Sequence, residues 1–90
     1  MDNVHAIKPE MEVKIELFGV TKDIIGQSEI HCSLVSPATV QTLLEQLQAD
    51  YPRLQGLSSL AVAVNSEYAE RNQALRANDE IALIPPVSGG

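Results

Sequence analysis

One helical stripe set between strand-like segments constrains this chain more than any other feature. Val40, Leu43, Leu44, Leu47 and Tyr51 fall at i, i+3, i+4, i+7 and i+11, the apolar face of an amphipathic helix. Thr39 offers an N-cap after the break at Ser36-Pro37-Ala38. Pro52 restricts Tyr51 and stops the helix. Gln41, Glu45, Gln46 and Gln48 face outward. Ahead of the helix, Glu12-Val13-Lys14-Ile15-Glu16-Leu17 alternates strictly, and Ser28-Glu29-Ile30-His31-Cys32-Ser33-Leu34 does so again. These two segments are expected to pair. After the helix, Leu60-Ala61-Val62-Ala63-Val64 is a compact apolar run that reads as a buried central strand. Glu80-Ile81-Ala82-Leu83-Ile84 is the last strand, ended by Pro85-Pro86 because proline has no N–H for a ladder.

The connecting segments are read more coarsely. Met1 to Glu10 is polar and aperiodic, a flexible arm. Gly19 to Gln27 reads as a connection closed by Gly26, and Arg53 to Ser59 as a loop around Gly56. Asn65-Ser66-Glu67 turns the chain, and Tyr68-Ala69 adds a short strand. Asn78-Asp79 is a second turn signal. The expected organisation is an arm over 1–10, one domain over 11–84 and an extended tail over 85–90. The expected class is α+β, a mixed sheet with one main helix across its face. Val13, Ile15, Leu17, Ile30, Leu34, Val62, Val64, Ile81 and Leu83 share the inner face.

Composition narrows the function. Twelve acids against six bases leave a net charge of −6 over 90 residues. Nucleic acid needs clustered Lys and Arg, so that partner is disfavoured, as is an anionic membrane surface. An acidic chain suits docking on a basic protein. The single cysteine, Cys32, forbids an internal disulfide and a thiolate zinc site. No metal site is expected. The longest apolar runs are far too short to span a bilayer, and the N-terminus has no signal-peptide pattern. A cytoplasmic location is the expectation. No catalytic constellation is visible. Alternation turns Cys32 inward as a small hydrophobe, and His31 lies on the outer face beside Glu29.

The last six residues, Pro85-Pro86-Val87-Ser88-Gly89-Gly90, carry the chemistry. Pro85-Pro86 favours an extended conformation with fixed φ. Six residues at about 3.3 Å each reach roughly 20 Å from the domain. Gly89 and Gly90 have no Cβ, so they can thread a channel that any larger residue would block. Such a tail is suited to presenting the Gly90 carboxylate inside another protein.

With these segments in hand, the chain resembles the small, sulfur-carrying subunit of molybdopterin synthase (MoaD type), a ubiquitin-like β-grasp family. The resemblance runs from about Met11 to Gly90. It rests on Val13-Lys14-Ile15-Glu16-Leu17-Phe18-Gly19, on Thr39-Val40 with Leu43-Leu44 and Leu47, and on Ala63-Val64-Asn65 with Glu67-Tyr68. It rests above all on Leu75 followed by Asp79 through Gly90. Gly-Gly alone is shared with ubiquitin and with the thiamine and tRNA-thiolation carriers; the double proline before Val87-Ser88-Gly89-Gly90 resembles the molybdopterin branch. Asn78 departs from the family's usual glycine, but asparagine also tolerates left-handed backbone.

The resemblance implies a mechanism. An adenylating enzyme resembling the ubiquitin-activating type, using ATP and magnesium, would convert the Gly90 carboxylate to an acyl-adenylate. A persulfide donor would displace AMP and leave a thiocarboxylate. A large synthase subunit, in a heterotetramer of two small and two large subunits, would use it to sulfurate a cyclic pyranopterin monophosphate. Two transfers would complete the dithiolene of molybdopterin. This chain would bind no cofactor of its own, and the catalytic side chains would belong to the large subunit. The same activation could instead serve a ubiquitin-like modifier that conjugates to lysines, or a sulfur carrier of another pathway, thiamine synthesis or tRNA thiolation. The inward pattern leaves Phe18, Tyr68 and Ile84 outside the core. They are expected to centre the partner interface, continued by Pro85, Pro86, Val87 and Ser88.

Overall fold

The computed structural model describes residues 10–57 and 59–86. Its elements are strand β1 (Glu10–Leu17), helix α1 (Gly19–Ile25), strand β2 (Glu29–Val35), helix α2 (Val40–Asp50), a 3-10 turn (Pro52–Gly56), and strands β3 (Ala61–Val64), β4 (Glu67–Tyr68) and β5 (Glu80–Ile84). One sheet holds all the strands in the order β2-β1-β5-β3-β4. β1 is antiparallel to β2 and parallel to β5, while β3 is antiparallel to both β5 and β4. A mixed sheet with its first and last strands side by side, crossed by one main helix, is the ubiquitin-like β-grasp.

The alternation explains why the sheet has one wet and one dry face. β1 and β2 bury every second residue, and the residues between are exposed except for half-buried Lys14. The inward residues Met11, Val13, Ile15, Leu17, Ile30, Cys32, Leu34, Val62, Val64, Ile81 and Leu83 are all buried, as the alternation requires, and Ala63 is buried as well although it lies on the other face. α2 lays Val40, Leu43, Leu44 and Leu47 onto them. Thr39 caps the helix, its hydroxyl accepting from the Thr42 N–H at 3.3 Å. Fully burying an aliphatic side chain of this size contributes about 1.5–3 kcal/mol, so this interdigitated set dominates the stability of an aromatic-poor chain.

Four readings from sequence need correction. Residues 19–25 form α1 rather than an irregular connection, with Gly26 in the left-handed region at φ 85 as its C-cap. Val20, Thr21, Ile24 and Ile25 are β-branched and poor helix formers, so tertiary contacts carry this short helix. Pro52–Gly56 is a 3-10 turn that buries Leu54 completely, rather than an open loop. β3 is not central: β5 takes the middle of the sheet and β3 lies one strand further out. β1 begins at Glu10, which was assigned to the arm; the remainder of the arm, residues 1–9, lies outside the described residues, as does the tail beyond Pro86.

Residues 69–79 close the fold without regular structure. Val40 and Gln41 at the start of α2 donate their N–H groups to the carbonyls of Gln73 and Arg71, at 3.0 and 2.9 Å. Leu75 is buried, and its N–H bonds the Ala38 carbonyl at 2.9 Å. Asp79 accepts from the Arg76 N–H at 2.8 Å and from the Asn65 side chain at 3.0 Å. Glu80 donates its N–H to the Asn65 side chain at 3.0 Å, so the two turns brace each other. Asn78 has φ 71, the left-handed conformation expected at this turn.

That geometry yields a stability test. Asn78→Gly should be neutral or slightly stabilising. Asn78→Val should cost about 1–2 kcal/mol, because a β-branched side chain resists positive φ. Urea melts of the three proteins compare them directly, and a Val variant as stable as the parent would contradict the left-handed assignment.

Candidate functional site

The sheet face turned away from α2 is built by register. Tyr68 lies opposite Ala63, Ala63 opposite Ala82, and Ala82 beside Glu16, which in turn faces Glu29. Paired residues share a face, so this row crosses all five strands on the outer side. One step toward the tail, Ala61 pairs with Ile84. Phe18 continues the β1 alternation in extended backbone, at φ −133 and ψ 152, just beyond the Leu17–Leu83 pair. The outer face therefore has two halves. The half over β4, β3 and β5 is a platform of Ala61, Ala63 and Ala82 edged by Tyr68, Ile84 and Phe18.

The other half, over β1 and β2, is polar. Lys14 lies 3.5 Å from Glu29, and His31 lies 3.4 Å from Glu29 and 3.8 Å from Glu12. These pairs are exposed and contribute little to stability. A shallow groove beside Phe18, lined by Glu16, Lys22, Ser28 and Glu29, separates this half from α1.

The expected site residues divide accordingly. Phe18 is 48% exposed and Tyr68 75% exposed; Val35, at the far end of β2 opposite Glu10, is a third exposed apolar side chain on this face. Ile84, Pro85 and Pro86 are half-buried at the end of β5. Phe18 and Ile84 lie on the outer face at the end of the sheet from which Pro85 and Pro86 lead the chain away, whereas Tyr68 lies on the edge strand β4, two strands from β5. Val87, Ser88, Gly89 and Gly90 lie outside the described residues. The alanine platform was not singled out from sequence. Its signal was present in the alternation of β3, where Ala61 and Ala63 interleave with Val62 and Val64.

Cys32 is buried, and burial pushes its thiol above the ordinary range, with the Asp50 charge adding to the effect. A protonated, buried thiol is a poor nucleophile, in keeping with its reading as a core residue. Among the described residues, no group of three or more His, Cys, Asp or Glu could hold a metal ion. No helix among them is long and apolar enough to cross a membrane.

Thr21 organises the corner where β1 passes into α1. It is the one fully buried polar side chain among the described residues. Its hydroxyl accepts from the Phe18 N–H at 3.1 Å and donates to the Phe18 carbonyl at 2.6 Å. The same hydroxyl lies 3.4 Å from the Leu83 carbonyl on β5. The presentation of Phe18 thus depends on a residue that faces the interior.

Comparison with known proteins assigns this arrangement. The ThiS family profile matches residues 15–90. The chain belongs to the ThiS family. It is 40% identical over 83 residues to the molybdopterin synthase sulfur carrier subunit of Dictyostelium discoideum, covering 88% of this chain and 96% of that one. The crystal structure of SAMP1 from Haloferax volcanii superimposes with a TM-score of 0.77 at 30% identity, covering 88% of this chain and 99% of that one. A complex of subunits 1 and 2 of the molybdopterin-converting factor from Helicobacter pylori aligns with a TM-score of 0.61 at 27% identity, covering 89% of this chain and all of the matched one. The resemblance to sulfur carrier subunits of molybdopterin synthase, and the β-grasp fold that it implied, are both borne out.

For this ThiS-family chain, the Thr21 corner can be tested directly. Thr21→Val keeps the shape and the bond from its own N–H to the Phe18 carbonyl, but leaves the Phe18 N–H without its hydroxyl acceptor. The expected loss is about 1 kcal/mol, the size of an ordinary hydrogen-bond deletion in a partly exposed setting. Amide exchange at Phe18 should accelerate more than exchange in β2. Uniform acceleration across the sheet would show that Thr21 acts globally instead.

Proposed function

We propose that this protein is the sulfur carrier subunit of a molybdopterin synthase. The observation that carries the reading is the combination of a Pro85-to-Gly90 tail, rooted beside an exposed apolar sheet face, with 40% identity to a protein of that function. The Gly90 carboxylate attacks the α-phosphate of ATP on an adenylating enzyme, and magnesium pyrophosphate leaves. A persulfide sulfur then attacks the acyl carbon, and AMP departs. Reductive cleavage of the S–S bond, by thiols of the donor system, leaves a thiocarboxylate. This group is ionised at neutral pH and is a soft nucleophile. On a large subunit it transfers sulfur to cyclic pyranopterin monophosphate, and the Gly90 carboxylate is regenerated.

The division of labour follows from the side chains. This chain offers a reactive terminus and a docking face, and the acid–base groups come from the large subunit. Phe18, Tyr68 and Ile84 centre the contact with that subunit, and Pro85, Pro86, Val87 and Ser88 lead Gly89 and Gly90 into its channel. The assembly is a heterotetramer of two small and two large subunits, working in the cytosol. A two-subunit complex among the structural relatives supports the pairing. ATP and magnesium belong to the activating enzyme, and no cofactor is held by this chain.

The similarity to SAMP1, named a small archaeal modifier protein, supports a second reading in which the activated terminus forms isopeptide bonds. Intact mass spectrometry after incubation with the adenylating enzyme, ATP and a persulfide donor separates the two. The sulfur-carrier reading expects one oxygen replaced by one sulfur, localised to the C-terminal peptide. Lysine conjugates alone would favour the modifier reading, and an unchanged mass would contradict both. Deleting Gly90 should abolish charging without changing the melting temperature, because the tail lies beyond the last strand.

The docking face makes a separate prediction. Phe18→Ala, Tyr68→Ala and Ile84→Ala should each weaken binding to the large subunit by about 2 kcal/mol or more, the loss typical of a buried interface anchor. Each variant should melt within a few degrees of the parent. Calorimetric titration measures the affinity. Normal binding by all three would move the interface elsewhere.

A further inference from the structure

We propose that Gly19 is a positioning residue for the C-terminal tail, acting through Pro85. Gly19 adopts φ +53, and a Cβ on it would lie 3.2 Å from Pro85 Cγ. That spacing is closer than ordinary van der Waals contact, so the bare Cα of Gly19 is where the proline ring rests. Pro85 is the first residue after β5, whose ladder ends at the Ile84–Ala61 pair. Proline fixes its own φ, but its direction relative to the sheet must come from what it packs against. On this side of the ring, Gly19 supplies that contact.

The contact is braced from both strands. Leu17 pairs with Leu83 in the parallel ladder, so the two chains enter the corner in fixed register. The Thr21 hydroxyl bonds the Phe18 backbone on one side of Gly19 and approaches the Leu83 carbonyl two residues before Pro85. Phe18, Gly19 and Thr21 on one chain, with Leu83 and Pro85 on the other, therefore make one joint. This joint holds the root of the tail, while Phe18 beside it presents its ring to the outside. A side chain at position 19 would push the ring by a few tenths of an ångström. If the six tail residues are extended at about 3.3 Å each, a small turn at the root would become about an ångström or more at the reacting end. Misplacement on that scale is enough to slow a positioned reaction substantially.

The consequence for chemistry rests on the sulfur-carrier reading; the consequence for geometry does not. Double electron–electron resonance on the full chain, with nitroxides at Ser88→Cys and Glu45→Cys in a Cys32→Ala background, reads the tail direction. Gly19→Ala should shift the mean distance by about 1 Å or broaden the distribution by a similar amount. Gly19→Asn should do the same, since asparagine accepts positive φ but carries the same Cβ; it also covers the case in which Gly19→Ala misfolds. Added to Pro85→Ala, which removes Cγ, neither substitution should have a further effect. Distributions that superimpose on the parent would overturn the proposal. An equal shift with and without Pro85 would also overturn it, because the effect would then come from backbone strain.

In the charging assay with adenylating enzyme, ATP, magnesium and persulfide donor, Gly19→Ala should lower kcat about tenfold and leave KM within about twofold. Unchanged kcat, or a change confined to KM, would remove the positioning role. A parent protein that is never charged would defeat the sulfur-carrier reading, and the distance measurement would still decide the joint.

Discussion

The parallel pairing of β1 with β5 is the constraint on which the rest of this molecule depends. Ile15 lies beside Ile81 and Leu17 beside Leu83, joining segments more than sixty residues apart at the centre of the sheet. Parallel neighbours cannot be joined by a tight turn, so the intervening chain must cross over, and α2 lies within that crossover. The helix stripe then has one place to go, the dry face made by these central strands. β2 and β3 complete the sheet on either side, and their alternation follows the pleat already set.

The same pairing determines what the wet face can be. Because β1 and β5 run in the same direction, they finish at the same end of the sheet. Phe18 and the Ile84–Pro85 segment therefore emerge together, although nothing local in the sequence connects them. The corner at Gly19 and Thr21 is tied to β5 for the same reason. A tail attached to any other strand would leave the sheet from a different point. Phe18 and the root of the tail thus form one geometric unit.

The sheet and its core were readable because period-2 and period-3.6 patterns report directly on burial. Every residue placed on the inner face by alternation is buried, and Thr39, Asn78 and Cys32 behave as their chemistry suggested. What could not be read depended on contacts distant in sequence. Helix α1 has seven residues, too few for a stripe, and β-branched residues in it point locally to a strand. The inward position of Thr21 is set by Phe18 and Leu83, not by a pattern. β3 reads as central because it is apolar on both faces, yet its apolar outward residues are the alanines Ala61 and Ala63. Tyr68 could not be assigned a side from its own segment, since its face is fixed only by pairing with Ala63.

This arrangement separates stability from function to an unusual degree for so small a domain. The aliphatic set between sheet and α2 carries the folding energy, and none of it faces the proposed partner. Tyr68 is largely exposed and Phe18 about half exposed, so truncating them removes less buried area than truncating a core residue. Selection can therefore reshape the outer face to fit a large subunit or an adenylating enzyme without disturbing the core. The exception is the joint at Gly19, Thr21 and Pro85, where one set of contacts both closes the fold and aims the tail. Changes there act on stability and on presentation together. That is where the independence of the two faces ends, and where a partner's demand on the tail feeds back into the fold.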